Sequence, residues 1–313
     1  GDGESFPRTQ SELRLEAKLT GSISPNHRVA FGYIDSDFEE TNHYYSWGPP
    51  ADYGALSPSR ELPNTAWTVN YTGVLTDNFF VEAMYSEREF QFIGGGGMDP
   101  SVGGGTPVYD YLDYALINAP WFCGICPPET RANDNIWAKA SWFFSGAGTH
   151  DLVFGVDSFN DIRKADNWQT SSGYNIYTFT PQDYSTPGSP LVRFVSYDYI
   201  IWSNVETPSQ GNEFKTNSLF VNDTWRISDR FTANLGLRYD SNDGTDQSGA
   251  KITDDSRISP RLSASWDIKG DGSIVVNGGF SRYVVGMSNG IADSGTAAGE
   301  PYHIAYYYEG PDM

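Results

Sequence analysis

Residues 218–240, SLFVNDTWRISDRFTANLGLRYD, alternate apolar and polar side chains on both sides of a short interruption. Successive side chains of a β-strand point to opposite faces, so this two-residue period predicts a β-hairpin. With a three-residue turn at 228–230, the expected pairs on the apolar face are Ile227 with Phe231, Trp225 with Ala233, Val221 with Leu237 and Leu219 with Tyr239. Asp223 is the exception, because the same register places it on this face opposite Leu235. We expect Asp223 to lie near a membrane interface or against a neighbouring strand.

The same alternation recurs along most of the chain. It is found in ELRLEAKLT (12–20), RVAFGYI (28–34), AWTVNYTG (66–73), FFVEAMYSER (79–88), IWAKASW (136–142), DLVFGVDSF (151–159), RISPRLSASWDI (257–268) and, less regularly, SIVVNGGFSRY (273–283). Short connections at GSISPN, TD, SGAG, SDR and KGDG alternate with long ones at about 41–63, 93–134, 165–212, 243–256 and 285 to the end. Short periplasmic turns and long extracellular loops are typical of an all-β, antiparallel up-and-down transmembrane barrel.

The alternation of short and long connections also restricts the segment between 165 and 212. If every short turn lies on one side, the strands near 149–160 and 213–227 run in opposite directions, and no odd strand fits between them in the wall. The apolar stretches GYNIYTFTPQ (173–182) and LVRFVSYDYIIWS (191–203) are therefore expected to form an extramembrane hairpin within a long extracellular loop. This scheme predicts about ten wall strands.

The two faces of these strands differ in chemistry. The residues predicted to face a watery lumen or a plug are Arg14, Glu16, Lys18, Arg28, Glu82, Arg88, Lys139, Asp157, Arg238, Arg261 and Asp267. Burying such a set in a protein core would cost several kcal/mol for each unpaired ion. The aromatic residues predicted to face lipid are Trp67, Tyr71, Tyr85, Trp142, Trp225, Tyr239 and Trp266. The alternative is a soluble sandwich in which two apolar faces meet; aromatic residues just before short turns favour a membrane girdle.

Composition supports strands and turns and limits the partners. Aromatic residues make up 15% of the 313 residues, and 33 Gly and 18 Pro disfavour long helices. No stretch of eighteen apolar residues is present, but a barrel strand needs only about 9–11 residues with one apolar face. The net charge of −20 argues against nucleic acid as a partner. The first residues, GDGESFPRTQ, lack the features of a signal peptide, so we expect either that one was removed or that the chain is part of a longer protein.

Several motifs resemble TonB-dependent outer-membrane receptors. The strand with Asn222, Asp223, Thr224 and Trp225, followed by Gly236, Leu237, Arg238 and Tyr239, is similar to a hairpin of that family's barrel. WFCGICPPE (121–129), NDNIWAKASWF (133–143) and HDLVFGVDSFNDIRKADN (150–167) resemble its Oar-like branch, whose full-length members often carry an N-terminal carboxypeptidase-regulatory-like domain.

The resemblance implies a 22-stranded barrel in the outer membrane of a Gram-negative bacterium, closed by a plug domain and opened through an inner-membrane TonB complex. Implied partners are outer-membrane lipid and lipopolysaccharide, the protein's own plug, the TonB complex and a transported substrate. We identify neither a plug nor a TonB box in residues 1–313, so we expect this chain to be the middle of a longer protein with one barrel domain.

Four segments suggest binding chemistry and are interpreted as structural. Cys123 and Cys126 lie in a predicted outer loop, where a local disulfide is favoured over free thiols. GGGGMDPSVGGGT (94–106) is expected to be a flexible loop, because no helix follows to present amides to a phosphate. DSNDGTDQSGAKITDD (240–255) and DSDFEE (35–40) could attract divalent cations, but solvated acidic loops are the favoured interpretation. We expect no metal site, no cofactor and no catalytic residues.

Two functions are consistent with these features. The first is energised uptake or export of a large or scarce substrate: an oligosaccharide, a peptide or a metal chelate. Six acidic residues against one basic in the 35–61 segment weakly disfavour anionic siderophores, and aromatic stretches such as HYYSW (43–47) and YHIAYYY (302–308) suit sugars. The second is a passive porin-like or adhesive barrel, which the sequence upstream of residue 1 would distinguish from the first.

Overall fold

The computed structural model describes residues 5–46, 48–179, 182, 195, 197–284, 289–292 and 295–310. Two antiparallel or mixed sheets account for nearly all of the regular structure, with one short 3-10 turn at Tyr53–Ala55 and one helical turn, α1, at Asn289–Ala292. Neither length nor apolar content would let any helix in this part of the chain span a membrane.

The larger sheet, here called the wall sheet, contains eleven strands. They are β1 (Thr9–Ser24), β2 (His27–His43), β3 (Ser57–Glu61), β4 (Asn64–Thr76), β5 (Phe79–Gly94), β8 (Glu129–Ser145), β9 (Thr149–Lys164), β12 (Asn212–Ser228), β13 (Phe231–Thr245), β14 (Lys251–Asp267) and β15 (Val275–Ser281). β3 and β4 share one position between β2 and β5, on either side of Leu62 and Pro63. All neighbours pair antiparallel in chain order, which confirms the all-β, up-and-down architecture.

The smaller sheet, here called the loop sheet, is built from the long connections. Its strands are β6 (Val108–Asp110), β7 (Ala115–Ile117), β10 (Tyr174–Thr178), β11 (Tyr199–Asn204) and β16 (Tyr302–Tyr307), in the spatial order β16-β11-β10-β6-β7. β10 and β11, from the segment predicted to hold an extramembrane hairpin, pair antiparallel, and β9 pairs directly with β12 in the wall sheet. Residues 180–181, 183–194 and 196 of that segment lie outside the described residues, as does Trp47 of HYYSW.

The predicted turn at 228–230 is wrong by one residue. Ser228 pairs with Phe231 across a two-residue turn, and a bulge between Arg226 and Ser228 absorbs Ile227. Ile227 is therefore not opposite Phe231 as predicted. The extra residue of the bulge offsets the shorter turn, so the pairing beyond the bulge has the predicted register. The predicted pairs Trp225 with Ala233, Val221 with Leu237 and Leu219 with Tyr239 are therefore confirmed.

Several predicted loops are shorter than expected because strands continue beyond their amphipathic segments. The 243–256 connection consists mostly of the ends of β13 and β14, joined by residues 246–250. Its turn is organised by Asp246, whose Oδ1 accepts hydrogen bonds from the backbone N–H of Ser248 and Ala250. β2, β8 and β12 each have 17 residues, whereas about 9–11 suffice to cross a bilayer. In the parts of these strands that extend beyond the membrane-crossing length, both faces are polar. Apolar and polar residues therefore no longer alternate there.

The outer ends of the long connections have their own small core. Buried Ala55, Leu116 and Trp121 form its centre, and Tyr45, Tyr109, Phe122 and Tyr177 pack against them. The edge of β7 is covered, because the backbone N–H groups of Ala51 and Leu116 donate to the carbonyl oxygens of Leu116 and Pro49 respectively. The loops are therefore a folded layer beside the wall sheet.

Candidate ligand-binding site on one face of the wall sheet

Strand register separates the two predicted residue sets completely. Every charged residue predicted to face the lumen lies on one side of the wall sheet, here called the ionic face, and every aromatic residue predicted to face lipid lies on the other, the apolar face. Within the described part of the chain, no second sheet packs against the apolar face: Leu15, Leu219, Ile258 and Trp266 are 49–58% exposed. A soluble sandwich would bury such residues. That lipid covers this face stays a prediction.

Ion pairs cross between strands on the ionic face. Lys139 Nζ lies 2.8 Å from Glu82 Oε2, and the two residues are direct partners in the register of β5 and β8. Arg238 of β13 donates from Nη2 to Asp157 of β9 at 3.2 Å, and from Nε to Asp240 of its own strand at 2.6 Å. These contacts support the structural interpretation of the face, in which opposite charges pair and keep the surface polar.

Other predicted lumen residues have more local partners. Arg14 pairs with Glu16 on its own strand at 2.5 Å, and Arg88 donates to Asn64 Oδ1 at 2.9 Å. The guanidinium of Arg261 lies 4.9 Å from the ring centre of Tyr283, a cation–π distance. Lys18 and Arg28 are on the same face by register.

Asp267 lies on the ionic face by register, and its carboxylate binds the backbone of the neighbouring turn. Oδ1 accepts from the N–H of Gly270 and Oδ2 from the N–H of Gly272, both at 2.8 Å. The carboxylate therefore shapes the short turn between β14 and β15. Carboxylates commonly hold such turns by accepting backbone hydrogen bonds.

The DSDFEE segment is not the acidic loop that the sequence suggested. It lies within β2, where register places Asp35, Asp37 and Glu39 on the side of the apolar face. These three residues follow the apolar part of the strand, toward its C-terminal end. Glu40 is on the ionic side and only 1% exposed. Its carboxylate accepts hydrogen bonds from Arg8 and Gln10 and lies 3.0 Å from His43 Nδ1.

The acidic count in the 35–61 segment therefore says little about substrate charge. Glu40 is neutralised by Arg8, and Asp52 accepts hydrogen bonds from the backbone N–H of Ala55 and Asn118. In the described part of the chain, no three or more His, Cys, Asp or Glu side chains come together as a metal-ion site.

A cavity of about 350 Å³ lies between the ionic face and the folded loops. From the wall it is lined by Arg60, Phe92, Glu129 and Arg163, and from the loops by Tyr45, Phe122, Cys123, Trp168, Gln247 and Glu300, among others. Burial raises the pKa of the Tyr45 phenol, so this side chain stays neutral at physiological pH. The cavity thus combines aromatic surfaces with many charged and polar hydrogen-bonding groups, so it is more polar than the mostly apolar pockets that usually bind small molecules.

Glu129 and Phe92 organise the arginines of this cavity. Glu129 Oε1 accepts from Arg131 Nε at 2.6 Å and from Arg163 Nε at 2.9 Å. The ring centre of Phe92 lies 5.8 Å from the guanidinium carbon of Arg60 and 5.0 Å from that of Arg131. Phe92 therefore lies beside two arginines from two wall strands, Arg60 and Arg131, and Glu129 joins Arg131 to a third, Arg163.

Sequence reasoning missed this arginine group, although the pattern contained a signal for it. Arg131 and Arg163 are on the same parity as Lys139 and Asp157 further along β8 and β9, and Phe92 shares the parity of Glu82 on β5. Extending each strand's alternation past the amphipathic segment would have placed them on the ionic face. The long-loop interpretation of 93–134 and 41–63 prevented that step.

Cys123 and Cys126 form a disulfide beside the cavity. The strand-like bridge between Gly97 and Cys123, with Gly124 N–H donating to Gly97 O at 2.9 Å, attaches this loop to the 94–106 segment. That glycine-rich segment makes close backbone contacts: a Cβ on Gly96 would lie 2.4 Å from the carbonyl of Phe122. Its glycines therefore allow two loops to pack together, which the prediction of a flexible loop did not anticipate.

Comparison with known proteins agrees with this architecture. Among curated proteins, none matches this chain. Among solved structures, it is similar to FpvA of P. aeruginosa bound to heterologous pyoverdines (TM-score 0.50, 13% identity, 83% of this chain and 34% of that chain). It is also similar to FpvAI in complex with pyocin S2 (0.52, 12%, 88% and 36%) and to the outer-membrane transporter YddB from Escherichia coli (0.51, 14%, 88% and 32%).

These similarities are at the level of fold, and the chain spans about a third of each of those structures. The family model described as "Outer membrane beta barrel domain" matches residues 4–253, most of the chain. Together with the antiparallel sheet and its two chemically distinct faces, this match places the protein in the outer membrane of a Gram-negative bacterium. The chain belongs to the outer-membrane β-barrel domain family.

Proposed function

We propose that this chain forms part of the barrel of a TonB-dependent outer-membrane transporter that captures a large or scarce substrate on the cell surface. The observation that carries the proposal is the cavity between the ionic face and the folded loops, lined by Arg60, Phe92, Arg163 and Trp168. A passive porin needs an open aqueous channel, whereas folded loops beside a polar and aromatic cavity suit ligand capture.

The fold of this chain and its resemblance to the TonB-dependent family support an energised step. In this proposal, further strands pair with the free sides of β1 and β15, which have one partner each among the described residues. A plug domain contacts the ionic face, and a TonB box connects it to the inner-membrane complex. WFCGICPPE and its neighbouring motifs favour the Oar-like branch of the family. Both import and export are compatible with the geometry.

The arginine group allows anionic substrates that the acidic composition seemed to disfavour. Arg60 and Arg163 project from the wall toward the cavity, while Glu129 and Glu300 supply acceptors nearby. The site can therefore hold a ligand through paired charges and aromatic contacts without a strong preference for net charge. Siderophores or other metal chelates, peptides and sugars all remain in the proposed substrate range.

Two measurements on the full-length protein test the transporter proposal. In planar lipid bilayers, a plugged transporter is expected to show no steady ion conductance. In cells, deletion of the TonB box is expected to reproduce the growth defect of the complete gene deletion on a panel of scarce carbon and iron sources. Steady porin-like conductance, or full growth without the TonB box, would instead establish the passive pore.

A further inference from the structure

The cavity between the ionic face and the folded loops has a basic side and an acidic side. Its arginines come from the wall sheet, Arg60 from β3 and Arg163 from β9. Asp166 and Glu300 come from the connections that follow β9 and precede β16. Glu129, the acidic residue on the wall side, is already engaged, because it accepts a hydrogen bond from Arg163 Nε at 2.9 Å. The charges that line the cavity are therefore divided between the wall and the loops.

The two carboxylates on the loop side have neutral hydrogen-bond donors and no counter-ion. Asp166 Oδ1 accepts from the backbone N–H of Ser209 at 2.6 Å, and Glu300 Oε2 accepts from Asn167 Nδ2 at 3.2 Å. The backbone N–H of Asn167 donates to Gly299 O at 2.7 Å, which holds the two acidic segments side by side. Among the described residues, no Lys, Arg or His forms an ion pair with either carboxylate. Each carboxylate keeps lone pairs for a further donor, so this side can accept a cationic group.

Arg60 is the corresponding cation on the wall side. Its Nη1 lies 3.3 Å from His43 Nε2, and the carboxylate of Glu40, at 3.9 Å, accepts a hydrogen bond from Arg8. Burial and the neighbouring guanidinium of Arg60 lower the pKa of His43, so the imidazole stays neutral. The ring of Phe92 lies 5.8 Å from the guanidinium carbon. The nearest side-chain partners of Arg60 thus leave it able to bind an anionic group in the cavity.

The distance between the two charged sides limits the length of a ligand that bridges them. β3 and β9 are three inter-strand steps apart, in the order β3-β5-β8-β9, which corresponds to about 14 Å between their backbones. The side chain of Arg60 covers part of this distance. An extended chain of about 3.5 Å per residue therefore bridges the two sides with no more than about four residues. The cavity volume of about 350 Å³ is in the range of small-molecule sites.

This arrangement favours a dipolar ligand over one of a single charge or none. A polyanion would meet Asp166 and Glu300, and a polycation would meet Arg60, so each would face like charge on one side of the cavity. A neutral sugar would leave charged groups on both sides without partners, which costs binding free energy. The aromatic side chains of Tyr45 and Trp168, which also line the cavity, provide apolar contact for the rest of the ligand.

We propose that this cavity binds a short peptide with free ends, about two to four residues long, whose terminal carboxylate contacts Arg60 and whose terminal ammonium contacts Asp166 and Glu300. This inference deepens the proposed function, because it assigns a substrate class to the same cavity. It rests on that function in taking the cavity to be reached from outside the cell. A peptide bound in this way joins the loops to the wall sheet, because its two ends contact opposite sides.

The first test uses calorimetry on the full-length protein in detergent, with trialanine, trileucine and trityrosine as probes. The tightest binder is then compared with its N-acetylated and its C-amidated forms, which each remove one terminal charge and keep the length. Each blocked form is expected to bind about tenfold or more weakly than the free tripeptide, because a charged group of the protein then loses its partner. This comparison needs no variant protein.

The second test assigns the two ends to their residues. Arg60→Gln should remove the difference in Kd between the free and the amidated peptide and keep the preference for a free amino end. The double variant Asp166→Asn with Glu300→Gln should do the reverse. Arg230→Gln makes the same charge change in the short turn between β12 and β13 and is the matched control, expected to leave every Kd unchanged.

Three results would overturn the proposal: no free tripeptide bound, equal Kd for the free and both blocked forms, or full wild-type discrimination against the amide in Arg60→Gln. The outcome is independent of the transport step, because deleting the TonB box should leave peptide binding intact. A barrel that binds peptide ends yet conducts ions steadily would refute the transporter and keep the peptide site. A plugged, TonB-dependent barrel that ignores peptides would refute only the site.

Discussion

His150 Nδ1 lies 2.7 Å from Asp223 Oδ2, and this hydrogen bond joins β9 to β12 on the apolar face of the wall sheet. The His150 ring is stacked between Phe144, at 4.6 Å, and Trp225, at 5.3 Å. Its Nε2 is 2.9 Å from the carbonyl oxygen of Gly146 in the neighbouring short turn. The one acidic residue that broke the apolar pattern of the 218–240 hairpin thus has a partner on the adjacent strand, close to the turns.

Replacing Asp223 by Ala is expected to destabilise the barrel, because the partly buried Nδ1 of His150 would lose its side-chain partner on the adjacent strand. Asp223→Asn keeps an acceptor oxygen and is expected to lose less. The urea midpoint for unfolding of the full-length protein from lipid vesicles gives the comparison, with Thr224→Ala on the opposite face as the control. Equal midpoints for Asp223→Ala and the wild type would show that the hydrogen bond contributes nothing.

The Glu82–Lys139 pair is expected to contribute only modestly to stability. Both side chains are about two-fifths exposed, at 40% and 36%, so water screens their attraction. A double-mutant cycle with Glu82→Gln and Lys139→Met should give a coupling free energy of about 0.2–1 kcal/mol, reduced by added salt. The exchanged variant, Glu82→Lys with Lys139→Glu, should recover most of it. A coupling that salt does not change would argue against an exposed ion pair in a watery interior.

Removal of the disulfide is expected to loosen the loops more than the wall. Cys123 and Cys126 are separated by three positions. Closing so short a loop lowers the entropy of the unfolded chain and thereby stabilises the folded loop by about 2 kcal/mol. The double variant Cys123→Ser with Cys126→Ser should therefore be cut faster by added protease within 94–130, while the urea midpoint of the wall stays close to that of the wild type. Unchanged cleavage in the double variant would mean that the Gly97–Cys123 contacts hold the loop without the bond.

The loop sheet is expected to lose stability at alkaline pH. Burial raises the pKa of Tyr177 to about 12, above its ordinary value of about 10, so the folded state favours the protonated phenol. The stabilisation is fully present below about pH 10 and is lost as the pH rises toward 12. Tyrosinate absorbance and protease sensitivity of the loops should change together in this range. In Tyr177→Phe the loops should stay resistant to higher pH; if they open at the same pH as the wild type, another group controls the transition.

The sequence was most informative where one face of a strand is apolar. The register from Leu219 to Tyr239 could be predicted because shifting it by one residue would move Trp225 and Val221 to the ionic face. The partner of Asp223 could not, because pairing of β9 with β12 spans a long connection whose length says nothing about register. Local alternation predicts hairpins and leaves the contacts between hairpins undetermined.

The local sequence pattern could not predict that Tyr109 lies opposite Tyr177, nor that the arginines of the cavity come together. The reason is the same for both. Tyr109 and Tyr177 meet through a parallel pairing of short strands 68 positions apart in the numbering, with no periodic segment around either. Arg60 and Arg163 meet the cavity only because β3 and β9 continue above the apolar band. Both features depend on long-range packing of polar segments, for which apolar periodicity carries no information.

We expect the apolar face of the wall sheet to contact lipid and the ionic face to contact water. Nitroxide labels on single cysteines introduced at positions 219 to 224 of the full-length protein in lipid vesicles test it most directly, by comparing collisions with oxygen and with a water-soluble nickel complex. Labels replacing Leu219, Val221 and Asp223 should favour oxygen, and those replacing Phe220, Asn222 and Thr224 should favour the nickel complex. Loss of this alternation, or its reversal, would contradict the account.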